Sequence, residues 1–93
     1  MNDRVQRIQA RLFETFAPTV CRLEDESSAH AGHAGAASGG AHYRLHLVSG
    51  RFEGQSRLNR HRLVYDCLRD MMLTEIHALA LTTEAPSEAR GTA

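Results

Sequence analysis

The sequence predicts one α/β domain of the α+β type, in which helices cover one side of a three-stranded mixed sheet. Two observations lead to this prediction. The chain has 93 residues, 42% of them hydrophobic, which suits a single core. Its apolar residues recur with helical, strand, strand, helical and strand spacing in turn, giving the order αββαβ. We place the domain at residues 1–86, with a flexible loop at 27–41 and a disordered tail at 87–93.

The first predicted element is an amphipathic helix from Asp3 to Phe16. Asp3 or Asn2 can cap its start, and Pro18 ends it soon after Phe16. Arginines lie outside one apolar stripe at helical spacing, whose members are Val5, Ile8, Leu12, Phe13 and Phe16.

Two strands are predicted next, joined by a long loop. Residues 19–26 alternate as a half-exposed strand. Residues 27–41 contain only Ser, Ala, Gly and His, so they cannot bury apolar area, and a loop of this length is often functional. Residues 42–49 alternate strictly, with Tyr43, Leu45 and Leu47 on one face. These two strands are expected to pair antiparallel.

The last two elements are a helix and a strand. Ser56 is expected to cap a helix from Arg57 to about Met72. A third strand is predicted at 76–83, with His77, Leu79 and Leu81 on one face and Ile76 on the other. A right-handed crossover makes the second and third strands parallel if they are adjacent. The buried stripe of the helix is expected to comprise Leu58, Val64, Tyr65, Leu68, Met71 and Met72.

Composition excludes several classes of protein. Eleven arginines balance eleven acidic residues, so a polyanion binder that uses its whole surface is not expected, although residues 44–62 hold five arginines against Glu53 alone. No charge-free stretch is long and apolar enough for a bilayer. The start lacks the apolar core of a secretory signal, and Cys21 and Cys67 are too few for a disulfide scaffold. We expect a cytoplasmic protein with reduced thiols.

No catalytic motif is present, so we do not expect an enzyme. The consecutive acids 24–26 point to opposite faces of a strand, and Cys67 lies in a helix interior, where nothing activates its thiol. Two binding hypotheses remain. His30 and His33 form a weak metal-ligand pair that would need further ligands from a partner, and solvated loop histidines are the alternative.

The second binding hypothesis concerns the arginines of the second predicted helix. Arg57, Arg60 and Arg62 could lie along nucleic-acid phosphates, and an ordinary solvated helix face is the alternative. No aromatic residues are interleaved with these arginines for base stacking.

Several stretches of the chain resemble the signature of the BolA family, in the family's order and over nearly the whole chain to Pro86. They are Asp25-Glu-Ser27, His30-Ala-Gly-His33, His42-Tyr43, Phe52-Glu-Gly54-Gln-Ser56-Arg-Leu58-Asn-Arg60-His61-Arg62-Leu-Val64-Tyr65 and Ile76-His77-Ala78-Leu79.

The resemblance implies a fold similar to a class II KH domain. It also implies a complex with a monothiol glutaredoxin of the CGFS type, apo or bridging a 2Fe–2S cluster, with a role in iron–sulfur trafficking and iron regulation. His77 matches the family's C-terminal histidine ligand, and His30 or His33 matches its loop ligand. A cysteine of the glutaredoxin and a glutathione thiolate would supply the remaining ligands. Alone, the protein would be a monomer or a weak homodimer.

Some family members are described as DNA-binding regulators of stress response and morphology, so DNA binding is the alternative. Arg57, Arg60 and Arg62 would then contact phosphates, with the turn at Gly54 directed toward the duplex. In the turn before the second predicted helix, Gly50 and Gly54 are separated by three residues, so this turn departs from the Gly-X-X-Gly loop of KH domains, and Glu53 would repel phosphate. We assign His61 a structural role and give His42 and His46 no role.

Overall fold

A computed structural model of the chain describes residues 3–26 and 41–89. Among these residues no helix has both the length and the apolar character that crossing a bilayer requires. The elements follow one another as α1 (Asp3–Phe16), β1 (Val20–Asp25), β2 (Ala41–Val48), a 3₁₀ turn (Gly50–Phe52), α2 (Arg57–Cys67), α3 (Arg69–Thr74), β3 (Ile76–Glu84) and α4 (Pro86–Ala89).

The sheet has the strand order β1-β2-β3. β1 pairs antiparallel with β2, from Val20 opposite Val48 to Asp25 opposite Tyr43. β2 pairs parallel with β3, and α2 and α3 lie between them in the chain. Both pairings confirm the predicted topology. The last residues of β1 and the first residues of β2 and β3 therefore lie at one end of the sheet, which we call the histidine end.

The core lies between the helices and one face of the sheet. Along the central strand β2, Tyr43, Leu45 and Leu47 are buried, and Arg44 between them is exposed, as the alternation predicts. Burying each such side chain contributes about 1.5–3 kcal/mol. The helices and the 3₁₀ turn close the core from one side with Ile8, Leu12, Phe16, Phe52, Val64, Leu68 and Met71.

A β-bulge lies at the start of β3. Ala41 is opposite Ile76, but the next residue, His42, is opposite Ala78, so His77 is an extra residue in the ladder. The prediction that Ile76 lies on the opposite face from Leu79 is therefore wrong, because both are buried in the core. In a regular strand residues three apart face opposite sides, and the bulge removes that conflict.

The second predicted helix is divided at Leu68. This residue leaves the helical range, with φ −104° and ψ 15°, while its side chain stays buried between those of Val64 and Met71. The expectation that Leu58 and Tyr65 are buried is wrong: Leu58 is 63% exposed, and the Tyr65 hydroxyl donates to the Leu79 carbonyl at the sheet edge. Both lie about 100° around the helix from the face that packs on the sheet.

The end of the domain extends beyond the predicted boundary. Residues 87–89, which the sequence assigns to the disordered tail, belong to α4. Two carboxylates hold this helix: Glu88 pairs with Arg60, and Glu53 accepts from the backbone N–H and the hydroxyl of Ser87. Composition does not reveal these contacts, because they join residues about 30 positions apart in the chain.

Candidate functional site

Two histidine rings lie against each other at the histidine end. His77 is exposed at the bulge, and His42 is partly buried at the second position of β2. Their ring centroids are 5.0 Å apart, and the ring planes are inclined by 44°. The parallel pairing and the bulge together produce this contact, because both His77 and Ala78 lie across from His42. Sequence reasoning missed His42, since the contact depends on register.

The residue before β3 attaches this end of the sheet to α1. Arg7 donates to both carboxylate oxygens of Glu75, and Arg4 Nε lies 3.5 Å from Oε1. The hydrogen bond from Arg7 lowers the pKa of Glu75. The Glu75 carbonyl accepts from the Ala41 N–H at 3.4 Å. These contacts hold the backbone next to His77 between α1 and β2.

Metal binding at this end needs ligands from outside the described residues. Across residues 3–26 and 41–89, no three His, Cys, Asp or Glu side chains are grouped so as to hold a metal ion. His30 and His33 lie outside the described residues. His77 offers an exposed imidazole, a ligand type that suits iron and zinc. The exposed His77 imidazole therefore fits metal coordination as a single ligand, and the described residues form no closed site around it.

Arg60, a predicted phosphate ligand, makes its contacts within the protein. It is 8% exposed, and its guanidinium donates to both oxygens of Glu88 at 2.6 and 3.0 Å. It also donates to the carbonyls of Gln55 and Thr83. The hydrogen bond from Arg60, followed by that from the Ala85 N–H, lowers the pKa of Glu88 to about 2. The Arg60 guanidinium is therefore largely occupied by contacts within the protein.

The other predicted nucleic-acid residues are exposed. Arg57 and Arg62 on α2 take part in no ion pair between described residues, and Gly54 lies in the turn before the helix. Gly54 has φ +72°, the left-handed region that glycine adopts without strain. The Ser56 hydroxyl accepts from the Asn59 N–H at 3.1 Å, which confirms the predicted cap.

A groove of about 720 Å³ lies between α2 and β3. His61 lines it and is partly buried, beside Leu81. Two carboxylates also line the groove, and both have partners. Glu88 pairs with Arg60, and Glu84 pairs with His46 Nε2 at 2.6 Å. The groove therefore presents no carboxylate pair poised for acid–base chemistry.

The two free cysteines are both partly buried. Burial raises the pKa of the half-buried Cys21 thiol. The Cys67 thiol lies 3.2 Å from the Thr15 hydroxyl and 3.6 Å from the Arg11 carbonyl, within a packed helix contact. A nucleophilic cysteine needs a lowered pKa, so the position of Cys21 suits a structural thiol.

The three-stranded sheet, the helices on one of its faces and the exposed His77 at the histidine end define a small α+β domain. The chain belongs to the BolA family: the family described as BolA-like protein matches residues 12–88.

Three curated relatives illustrate this membership. SufE-like protein 1, chloroplastic/mitochondrial, of Arabidopsis thaliana is 39% identical over 93 residues, covering 95% of this chain and 25% of its own length. BolA-like protein 1 of Mus musculus is 41% identical over 83 residues, covering 89% and 58%. The DNA-binding transcriptional regulator BolA of Escherichia coli (strain K12) is 41% identical over 86 residues, covering 92% and 79%. The chain thus spans a quarter of the Arabidopsis relative and under three fifths of the mouse relative.

Solved structures agree with the fold. The BolA domain of SufE1 from Arabidopsis thaliana superposes with a TM-score of 0.83 at 38% identity, covering 95% of this chain and 98% of that one. The solution structure of BolA1 from Mus musculus gives 0.81 at 38% identity, covering 99% and 72%. The relatives are named as BolA proteins, a regulator and a SufE-like protein, and none of these names states a catalysed reaction.

Proposed function

We propose that this protein is a non-enzymatic partner of a monothiol glutaredoxin of the CGFS type, with which it shares a 2Fe–2S cluster. His77 supplies one ligand, and His30 or His33 supplies the second. The glutaredoxin cysteine and a glutathione thiolate complete the set, as the family resemblance implies. The protein acts in the cytoplasm, in iron–sulfur trafficking and iron regulation, and is a monomer or weak homodimer until it meets the glutaredoxin.

The main supporting observation is the position of His77. It is exposed at the end of the sheet where the described chain stops at Glu26 and resumes at Ala41. The Glu26 N–H donates to the His42 carbonyl at 2.8 Å, which brings both ends of the 27–40 segment to this point. His30 and His33 are four and seven residues from Glu26, a reach of at most about 14 and 25 Å.

The incomplete donor set is the second support. A protein that carried a metal centre alone would need about four ligands, and the described residues offer no group of three. His77 must be neutral to bind iron, so cluster retention is expected to weaken as histidine becomes protonated. The cluster carries iron and one-electron chemistry, and histidine ligation raises its potential relative to thiolate ligation.

Mixing experiments test the proposal. Titrating this protein into a cluster-loaded CGFS glutaredoxin should change the visible absorption and circular dichroism, with a saturating stoichiometry. The same titration into apo-glutaredoxin gives the baseline without a cluster. Visible spectra that stay identical to those of the loaded glutaredoxin alone would contradict the proposal.

DNA binding is the alternative, and two observations favour it. A relative 41% identical is named a DNA-binding transcriptional regulator, and Arg57 and Arg62 are exposed on one helix. With Arg60 engaged by Glu88, α2 offers two of its three arginines to phosphates.

A mobility-shift titration at several salt concentrations tests this alternative. Replacing both Arg57 and Arg62 by Ala should make the negative slope of log affinity against log salt less steep by about 2, since each phosphate contact contributes about −0.9. A slope that does not change would remove α2 from the interface.

A further inference from the structure

The ring of His42 lies against that of the proposed ligand, His77, and the sequence gives His42 no role. We propose that His42 is a positioning residue: its ring is the platform that holds the His77 imidazole in one orientation for ligation. This inference rests on the proposed function and adds to it a second residue at the histidine end.

The bulge creates the need for such a platform. His77 is the extra residue between Ile76 and Ala78, and its side chain is exposed. A side chain at the surface of an irregular strand has several rotamers open to it, and ordering one of them on binding costs affinity. A contact that already selects one rotamer removes that cost.

The geometry of the two rings meets that need. The centroid separation of 5.0 Å and the inclination of 44° fall in the range of favourable aromatic pairs. His42 is itself held: it lies in the central strand, its carbonyl accepts from the Glu26 N–H, and its Nε2 atom is inaccessible to solvent. A fixed ring can orient an exposed one.

Burial also separates the roles of the two histidines. The Nε2 atom of His42 is inaccessible to solvent, whereas the His77 side chain is exposed. Iron held between two proteins requires a nitrogen that the partner side can reach. His77 is therefore the ligand and His42 its support, so the shape of the residue at position 42 matters more than its ability to bind metal.

Two substitutions distinguish support from ligation. His42→Phe keeps a flat ring and removes both nitrogens, whereas His42→Ala removes the ring. In the protein alone, NMR should show a cross-peak between the rings of residues 42 and 77 and one dominant His77 rotamer in wild type and in His42→Phe. In His42→Ala the His77 rotamers should average. His46→Ala is the matched control, since His46 lies on the same strand and pairs with Glu84 instead.

The mixture with cluster-loaded glutaredoxin supplies the second readout. His42→Ala should form the complex about three- to tenfold more weakly, and His42→Phe should match wild type within twofold. A loss in His42→Phe equal to that in His42→Ala would make His42 a ligand and overturn the proposal. If neither variant changes the complex or the His77 rotamers, the platform does not exist. Should His42→Ala fail to fold, His42→Leu replaces it, with averaged His77 rotamers as the expected result and wild-type rotamers as the contrary one.

The NMR measurement needs no cluster and no partner, so the two proposals can fail separately. Ordered His77 rotamers without any spectral response to glutaredoxin would refute the proposed function alone. A response to glutaredoxin with averaged rotamers in the wild-type protein would refute the platform alone.

Discussion

The histidine end and helix α2 both contain side chains of types that can bind ligands, but these side chains have different surroundings in the fold. At the histidine end, the backbone around His77 is held by Glu75 and by the pairing with β2, while the imidazole is left exposed. In α2, the central Arg60 is itself part of the packing, with its guanidinium on Glu88 and two carbonyls. At the histidine end, the backbone is fixed and the His77 side chain is exposed. In α2, the Arg60 side chain is used to bind backbone carbonyls and a carboxylate.

The contrast shows how to weigh a signature residue. Arg60 and His77 both stand in the stretches that identify the family, yet the Arg60 guanidinium is engaged within the protein and the His77 side chain is exposed. A residue that satisfies buried carbonyls and a carboxylate contributes to stability, and a residue on a held backbone with an exposed polar tip contributes to binding. The two roles predict different failures on substitution.

The largest expected effect is at His77. His77→Ala should abolish the spectral change that the protein produces in cluster-loaded glutaredoxin, because the ligand is removed. It should leave the melting temperature within about 2 °C of wild type, since exposed substitutions cost at most about 0.5 kcal/mol. His61→Ala, which removes a histidine from the groove beside α2, should retain the spectral change. If His61→Ala abolishes it and His77→Ala does not, the assignment of the two regions is reversed.

Arg60 should show the opposite pattern. Arg60→Ala removes hydrogen bonds to Glu88, Gln55 and Thr83 and should lower the melting temperature by about 10 °C, following a loss of about 2 kcal/mol. Arg62→Ala, on the exposed side of the same helix, should change it by about 2 °C or less. Thermal unfolding followed by far-ultraviolet circular dichroism compares the two. Equal melting temperatures in both variants would show that Arg60 does not anchor α4.

Gly54 is expected to affect stability through the backbone conformation of its turn. Gly54→Ala forces a side chain onto φ +72° and should cost about 1 kcal/mol, or about 5 °C in melting temperature. Gly50→Ala is the control, because a methyl group there meets nothing within 4 Å and its φ is not in the left-handed region. A Gly54→Ala protein that is as stable as Gly50→Ala would argue against the turn role.

The smallest effect is the acid dependence of α4. Because Arg60 lowers the pKa of Glu88 from 4.5 to about 2, the ionised carboxylate stabilises the folded state fully above about pH 4.5, and this contribution is lost as the pH falls toward 2. Glu88→Gln should therefore melt a few degrees below wild type at pH 6, with the difference shrinking between pH 4.5 and 2. Glu14→Gln, at an exposed position on α1, should follow wild type throughout. A difference between Glu88→Gln and wild type that is independent of pH would contradict the ion pair.

Local patterns were enough to predict the first helix, the three strands and the start of the second helix, but they did not predict the division at Leu68, α4 or the long-range contacts. The alternation in β2 predicted its faces, Ser56 predicted a cap, and the crossover rule predicted parallel pairing, because each depends on neighbouring residues or on chain handedness. The spacing of Ile76 and Leu79 held a sign of the bulge, since both are apolar and three apart in a strand. The pairing of Arg60 with Glu88 joins positions 28 residues apart and has no local signal.

The residues of the candidate site were also predicted only in part. The resemblance predicts that His77 is a ligand, and its side chain is exposed in the structure. His42 was assigned no role, because its contact with His77 needs both the parallel register and the extra residue in β3. The choice between His30 and His33 stays open, as both lie outside the described residues.

Pulsed electron paramagnetic resonance tests the central claim most directly. The complex would be formed from this protein labelled with ¹⁵N only in histidine and an unlabelled cluster-loaded glutaredoxin, and then reduced. The account predicts ¹⁵N couplings of directly bound histidine nitrogen, with one of them missing in His77→Ala if that variant retains the cluster at all. A reduced wild-type complex without histidine ¹⁵N coupling, or couplings that are unchanged in His77→Ala, would contradict it.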